Sequence, residues 1–130
     1  MTSKMRRVLV CGGRDFTDRE FAFSVLDRMH ATIPFACVIQ GGARGADMLG
    51  KEWGDSRAVP VIEFMAEWDR LGRKAGPIRN QRMLDEGRPD LVLAFPGGRG
   101  TADMCAKANA AGIRVEFSTP ATAPEISTET

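Results

Sequence analysis

The stretch LVLAFPGGRGT, residues 91–101, joins an apolar run to a glycine-rich turn and the start of a helical pattern. The run LVLAF has the length and composition of a strand that is buried on both faces. The glycines allow a tight turn and let a ligand approach main-chain N–H groups, and Thr101 is placed to cap the next helix. Strand, glycine turn and helix in this order form the repeating unit of a parallel α/β sheet.

Two other segments of the chain repeat that order. RVLVC leads into GGRD at residues 12–15, and ACVIQ leads into GGARGAD at residues 41–47. Together with apolar runs at residues 60–64 and 113–117, the chain contains five candidate strands separated by helical patterns. We therefore predict a Rossmann-like, doubly wound α/β fold with a five-stranded parallel sheet in the order 3-2-1-4-5.

The connections between the strands carry signals for helix ends. Thr17 is placed to cap a helix over residues 18–30, and Pro77 suits the first turn of a helix that runs to about residue 86. Gly112 is expected to end the helix that follows Thr101. Residues 65–76, MAEWDRLGRKAG, lack any periodicity. We predict a long loop there that closes over the ligand as a lid.

Length and composition indicate one globular domain. The chain has 130 residues, 43% of them hydrophobic, and a net charge of +1. We assign residues 1–117 to a single domain and residues 118–130, a small polar stretch with prolines, to a disordered tail. Because the apolar runs are too short for a membrane span or a signal peptide, we expect a cytoplasmic protein without a membrane partner.

The three cysteines and the single histidine are typical of packing positions. Cys11, Cys37 and Cys105 lie in strand-like or helix-like runs and lack CxxC spacing, and His30 falls at the end of the first helical pattern. We expect reduced thiols, no metal site and no cofactor.

The three glycine turns follow strands 1, 2 and 4, whose carboxyl ends meet where the strand order reverses. Glycine turns that open helices bind phosphate, and a net charge near zero favours a compact ligand over a long nucleic acid. Trp68, in the aperiodic stretch, is a candidate for stacking on a base. The predicted ligand-binding residues are Gly12, Gly13, Arg14, Gly41, Gly42, Ala43, Arg44, Gly45, Asp47, Trp68, Arg79, Asn80, Pro96, Gly97, Gly98, Arg99, Gly100 and Thr101.

Four motifs resemble those of the SLOG superfamily, and most of all its YspA-related branch. They are GGRDF from Gly12, GGARGAD from Gly41, AGPIRNQRM from Ala75 and AFPGGRGTADM from Ala94, and the resemblance covers nearly the whole chain. It implies a Rossmann-like domain that binds a nucleotide or a nucleotide-derived ligand, such as a ribosyl phosphate. We expect such a domain to act as a sensor or carrier.

The LOG phosphoribohydrolases, a related family that releases the free base from a nucleotide, carry the patterns RKxxM and PGGxGTxxE. Arg79, Met83 and residues 96–101 fall in register with them, but Met104 stands where that family has its catalytic glutamate, and Asn80 replaces the lysine. The alternative function is therefore a nucleotide phosphoribohydrolase, with Arg79 and Asp103 as its catalytic candidates.

The loop GGARGAD is also similar to GGARGID of the DNA-processing protein DprA. That likeness implies single-stranded DNA binding as a second alternative, which would require a basic groove and aromatic stacking platforms. The net charge of +1 and the lack of tyrosine favour the small ligand instead. Trp68 also suits a subunit contact, so a homodimer stays open.

Overall fold

The computed structural model describes residues 4–120 and contains a five-stranded parallel sheet. The strands are β1 (Arg6–Cys11), β2 (Phe35–Gln40), β3 (Val61–Glu63), β4 (Leu91–Ala94) and β5 (Arg114–Phe117). Their order across the sheet is β3-β2-β1-β4-β5, and every neighbouring pair is parallel. The predicted fold class and strand order are confirmed.

Five helices connect these strands. They are α1 (Arg19–Thr32), α2 (Ala46–Ser56), the short α3 (Trp68–Leu71), α4 (Ala75–Asp85) and α5 (Arg99–Ala110). Helices α1 and α2 pack on one face of the sheet, and α4 and α5 pack on the other. Among residues 4–120, no helix is both long and apolar enough to cross a bilayer.

The central strand β1 shows why the sheet is covered on both faces. Val8 and Val10 pack into the cluster beneath α1 and α2, whereas Leu9 and Cys11 pack into the cluster beneath α4 and α5. All four side chains are buried. A strand that is apolar at successive positions needs a helical layer on each side, which the connections between parallel strands supply.

Two predicted helix starts, those of α1 and α5, are wrong by one to three residues. Asp18, not Thr17, caps α1, because its side chain accepts a hydrogen bond from Phe21 N at 3.1 Å. Helix α5 begins at Arg99, so Thr101 lies inside its first turn and does not cap it. The predicted place of Pro77 is confirmed, because α4 begins at Ala75 and Pro77 lies in its first turn. The predicted end of α5 is confirmed, because Gly112 follows it with φ of +77°.

The predicted long loop over residues 65–76 is corrected by the structure. It contains α3, then a 3₁₀ turn over Gly72–Lys74, and it runs directly into α4. These elements are too short to show a periodic apolar pattern, and α3 has no buried residue. The segment is therefore a short helical connection beside the carboxyl ends of the strands, and the predicted absence of regular structure is wrong.

The predicted tail begins at residue 118, and its residues 121–130 lie outside the described residues. Ser118 N donates a hydrogen bond to Ala94 O at 2.9 Å, which continues the pairing of β4 with β5.

Gly45 allows the loops after β1 and β2 to touch. It has φ of +83°, and a Cβ atom there would collide with Gly13 O and lie 2.6 Å from the Arg14 carbonyl carbon. Both obstacles are main-chain atoms, which cannot move aside as the end of a side chain can. Glycine is therefore required for conformation and for space at this position.

We predict that Gly45→Ala lowers the free energy of unfolding by about 1–3 kcal/mol, because alanine is strained at this φ and collides with the neighbouring loop. Gly100→Ala is the matched control, because Gly100 lies in α5 and a Cβ atom added there would have no neighbour within 4 Å. It should raise stability by up to about 1 kcal/mol. Urea denaturation measures both changes, and equal stabilities of the two variants would contradict the prediction.

Candidate functional site

A cavity of about 620 Å³ opens at the carboxyl ends of the strands, where the sheet order reverses between β1 and β4. The loops after β1 and β4 and the first turns of α4 and α5 surround it. The predicted site residues that line it are Gly12, Gly13, Arg14, Ala43, Asp47, Trp68, Arg79, Asn80, Gly98, Arg99, Gly100, Thr101 and Asp103.

A second cavity, of about 330 Å³, lies against the loop after β2. It is lined by Gly41, Gly42 and Arg44, together with Met65 and Ala66. Four further residues line both cavities: Arg14, Ala43, Trp68 and Arg79. The three glycine loops thus surround two adjoining spaces.

Three of the predicted residues, Gly45, Pro96 and Gly97, line neither cavity. All three lie where the loops contact one another, close to the main chain of Gly13. Gly13 N donates to Pro96 O at 2.7 Å, and Ala46 N donates to Gly13 O at 3.2 Å. These main-chain hydrogen bonds connect the loop after β1 directly to the loops after β2 and β4.

Asp47 lies in the first turn of α2 and is only 7% exposed. Its Oδ2 accepts hydrogen bonds from Gly41 N and Ala43 N, each at 3.2 Å. Burial raises the pKa of Asp47 to about 6, although these N–H groups and Arg79 favour the charged form. The Gly42 N–H also has an internal partner, the side-chain Oε1 of Gln40 at 2.5 Å. The N–H groups of Gly41, Gly42 and Ala43 are therefore bonded within the protein.

Arg79 projects from α4 towards the same loop. Its Nη1 donates to Gly41 O at 2.6 Å, and its Nε donates to Asn80 Oδ1 at 3.0 Å. Burial lowers the pKa of Arg79, and the nearby positive charge of Arg14 lowers it further, while Asp47 opposes both effects. A Cβ at Gly41 would stand 2.7 Å from Arg79 Cζ, so glycine makes room for this guanidinium.

Asp103, the candidate catalytic carboxylate, is held by two side chains. Asn80 Nδ2 donates to Asp103 Oδ2 at 2.9 Å, and Lys107 Nζ donates to Oδ1 at 2.6 Å. Burial raises the pKa of Asp103, but the hydrogen bonds from Lys107 and Asn80 outweigh it and leave the pKa below its ordinary value. Met104 is 1% exposed and packs in the apolar cluster under α4 and α5.

Trp68 lies at the junction of the two cavities and is 46% exposed. The Arg14 guanidinium carbon lies 5.5 Å from the centroid of its ring, within the range of a cation–π contact. The ring also lies over Gly76, where a Cβ would come within 3.2 Å of the indole Cη2. Trp68 thus packs against Gly76 of α4 and also contacts the guanidinium group of Arg14.

Some lining residues were missed by the sequence prediction. Gly76, Pro77 and Met83 line the first cavity beside Arg79 and Asn80. The helical spacing of Gly76, Arg79 or Asn80, and Met83 places them on one face of α4, which the sequence pattern could have revealed. Cys11, at the end of β1, also lines this cavity and gave no such signal.

A third cavity, of about 380 Å³, lies at the amino ends of the strands, lined by Lys4, Arg6, Thr32, Ile33, Pro34 and Asp90. Glycine loops do not reach it, and ligands of doubly wound sheets bind at the opposite edge. The 620 Å³ cavity and its 330 Å³ neighbour are therefore the candidate site.

The fold and the cavities define a class: a Rossmann-like domain with a cavity beside glycine loops at the switch point of its sheet. Residues 6–71 match the family described as YAcAr: YspA, cpYpsA-related SLOG family. The chain is also 39% identical over 119 residues to the Gene 61 protein of Mycobacterium phage D29, an alignment that covers 85% of this chain and 94% of that protein. The chain belongs to the YspA-related SLOG family.

We predict a pH-dependent stability difference between the protein and Asp47→Asn. The ordinary pKa of 3.8 is raised to about 6 in the folded protein, so between these values the folded state holds more protons at Asp47 than the unfolded state does. The contribution of Asp47 to stability therefore falls as the pH rises from about 4 to 6, and then levels off. Relative to the unsubstituted protein, Asp47→Asn should gain about 2 kcal/mol between pH 4 and pH 7.

Urea denaturation at several pH values measures this difference. Asp15→Asn is the control, because it removes the same charge from a side chain that is 97% exposed, where the effect on stability is small. A difference for Asp47→Asn that stays constant from pH 4 to pH 7 would contradict the burial of an ionisable carboxyl group there.

Proposed function

We propose that the protein binds a nucleotide or a nucleotide-derived ligand carrying a ribosyl phosphate, and acts as a sensor or carrier. The observation that carries this proposal is Arg79, a partly buried guanidinium that lines both cavities beside the second cation, Arg14. Two neighbouring positive charges in a partly desolvated site favour an anion. A phosphate group supplies that charge and fits the planar donors of arginine.

The first turn of α5 supports the same assignment. Gly98, Arg99, Gly100 and Thr101 line the larger cavity, and Gly98 caps α5 without any side-chain hydrogen bond. The first N–H groups of a helix have no partners within it, so they are available to an anion. The space around Gly98 and Gly100 is open, which lets a ligand reach these main-chain donors.

The size and lining of the larger cavity suit a nucleotide. Its volume of about 620 Å³ falls within the range of roughly 300–1,000 Å³ that is common for small-molecule sites. The ring of Trp68, which is partly exposed, suits contact with a base, and the Asp47 carboxylate suits hydrogen bonds from ribose hydroxyl groups. Each part of a nucleotide therefore has a chemically matched group in the cavity.

Binding is favoured over hydrolysis of the N-glycosidic bond by the positions of Asp103 and Met104. A hydrolase of the LOG type needs a carboxylate that stabilises the developing charge on the ribose. The Asp103 carboxylate is already engaged by Asn80 and Lys107, and the Met104 thioether carries no charge. The proposed role is accordingly that of a sensor or carrier, and the free cysteines agree with a cytoplasmic location.

We predict that nucleoside monophosphates raise the melting temperature of the protein, and that Arg79→Ala weakens their binding roughly tenfold to a hundredfold. One charge-assisted hydrogen bond accounts for a loss of that size. Thermal-shift assays with AMP, GMP, CMP, UMP, ribose 5-phosphate and sulfate test the first part, and isothermal titration with the best nucleotide tests the second.

Arg28→Ala on α1 is the matched control and should bind as the unsubstituted protein does, because α1 covers the sheet away from both cavities. Since Arg79 also bonds to Gly41 O, Arg79→Lys serves as a second variant that keeps the positive charge. It should bind more tightly than Arg79→Ala and more weakly than the parent. Stabilisation by none of these anions, or undiminished binding by Arg79→Ala, would overturn the proposal.

A further inference from the structure

The two adjoining cavities share one boundary, formed by Arg14, Ala43, Trp68 and Arg79. On one side lies the larger cavity, which includes the open first turn of α5 and two exposed cations, Arg73 and Arg99. On the other side lies the loop after β2, with Arg44 as its exposed cation. Each cavity therefore has a separate positive group in addition to the shared pair.

The boundary itself carries concentrated positive charge. Arg14 and Arg79 are close enough for the charge of Arg14 to disfavour protonation of Arg79. Asp47, whose negative charge acts on Arg79, already accepts hydrogen bonds from Gly41 N and Ala43 N. Arg79 has further N–H donors besides those that bond to Asn80 Oδ1 and Gly41 O. An anion between Arg14 and Arg79 would therefore contact both cavities.

The sizes of the cavities favour a ligand with two parts. At about 620 Å³ and 330 Å³, each reaches the range of known small-molecule sites by itself. A nucleoside monophosphate in one cavity would leave the other cavity, and its arginine, without a ligand group. A molecule with a group at each end and negative charge in the middle would use the whole site.

We propose, building on the nucleotide-binding function above, that the ligand is a two-headed nucleotide in which a diphosphate joins a nucleoside to a second sugar or nucleoside. The diphosphate lies between Arg14 and Arg79, one head occupies the larger cavity beside Arg99, and the other head occupies the smaller cavity beside Arg44. The class includes dinucleotides and nucleoside diphosphate sugars.

Isothermal titration compares two-headed compounds with their halves. The probes are ADP-ribose, NAD⁺ and diadenosine diphosphate against AMP and ribose 5-phosphate. At least one two-headed compound should bind ten times or more tightly than either half, because the second head adds at least one charge-assisted contact. Equal affinities for AMP and for every two-headed compound would overturn the inference while leaving nucleotide binding intact.

Two single substitutions then separate the cavities. Arg44→Ala affects only the smaller cavity, and its ion pair with Asp15, at 3.4 Å between exposed side chains, contributes little to stability. Arg99→Ala affects only the larger cavity. Each should weaken the best two-headed compound about tenfold, whereas AMP should lose affinity in only one of the two variants. Arg28→Ala should change neither affinity.

The results distinguish this inference from the function on which it rests. If a two-headed compound loses affinity in only one of the two variants, the ligand occupies one cavity and the inference fails. If AMP, ribose 5-phosphate and all two-headed compounds fail to bind, the nucleotide-binding proposal fails together with it.

Discussion

The peptide groups on either side of Gly13 hold the site together. The Gly13 N–H donates to Pro96 O after β4, and the Gly13 carbonyl accepts from Ala46 N at the start of α2. Gly13 alone therefore connects the loop after β1 to the loops that follow both neighbouring strands, β2 and β4. The close approach requires Gly45, and a Cβ at Gly13 would itself lie 3.0 Å from Pro96 O. The relative position of the three glycine loops depends on this contact.

The contact brings together charges that stability alone does not explain. Asp47 is buried and Arg79 is partly buried, and buried charged groups add little stability even when they are paired. Exposed ion pairs elsewhere on the chain, such as Lys51 with Asp55, avoid that cost. Under the proposed function, the buried Asp47 and the partly buried Arg79 serve ligand recognition, because in a partly desolvated site each acts on a bound phosphate or ribose more strongly than it would in water.

Much of this arrangement could be predicted from the sequence, and the reasons are physical. Apolar runs such as LVLAF indicate strands buried on both faces, and a doubly wound sheet then brings their carboxyl ends to one crevice. The cap of α1 was misplaced because Thr17 and Asp18 are both good caps, and only the fold selects between them. The division of the crevice was not predictable, because it depends on where the Arg14, Trp68 and Arg79 side chains lie, which no periodic pattern records.

The central claim is that the glycine loops at the switch point hold the ligand. The most direct measurement follows the backbone amide signals of ¹⁵N-labelled protein by NMR during titration with AMP. We expect the largest shifts at Gly12 and in the first turn of α5, from Gly98 to Thr101. Shifts concentrated at Thr32, Ile33 and Asp90, around the cavity at the amino ends of the strands, would contradict it.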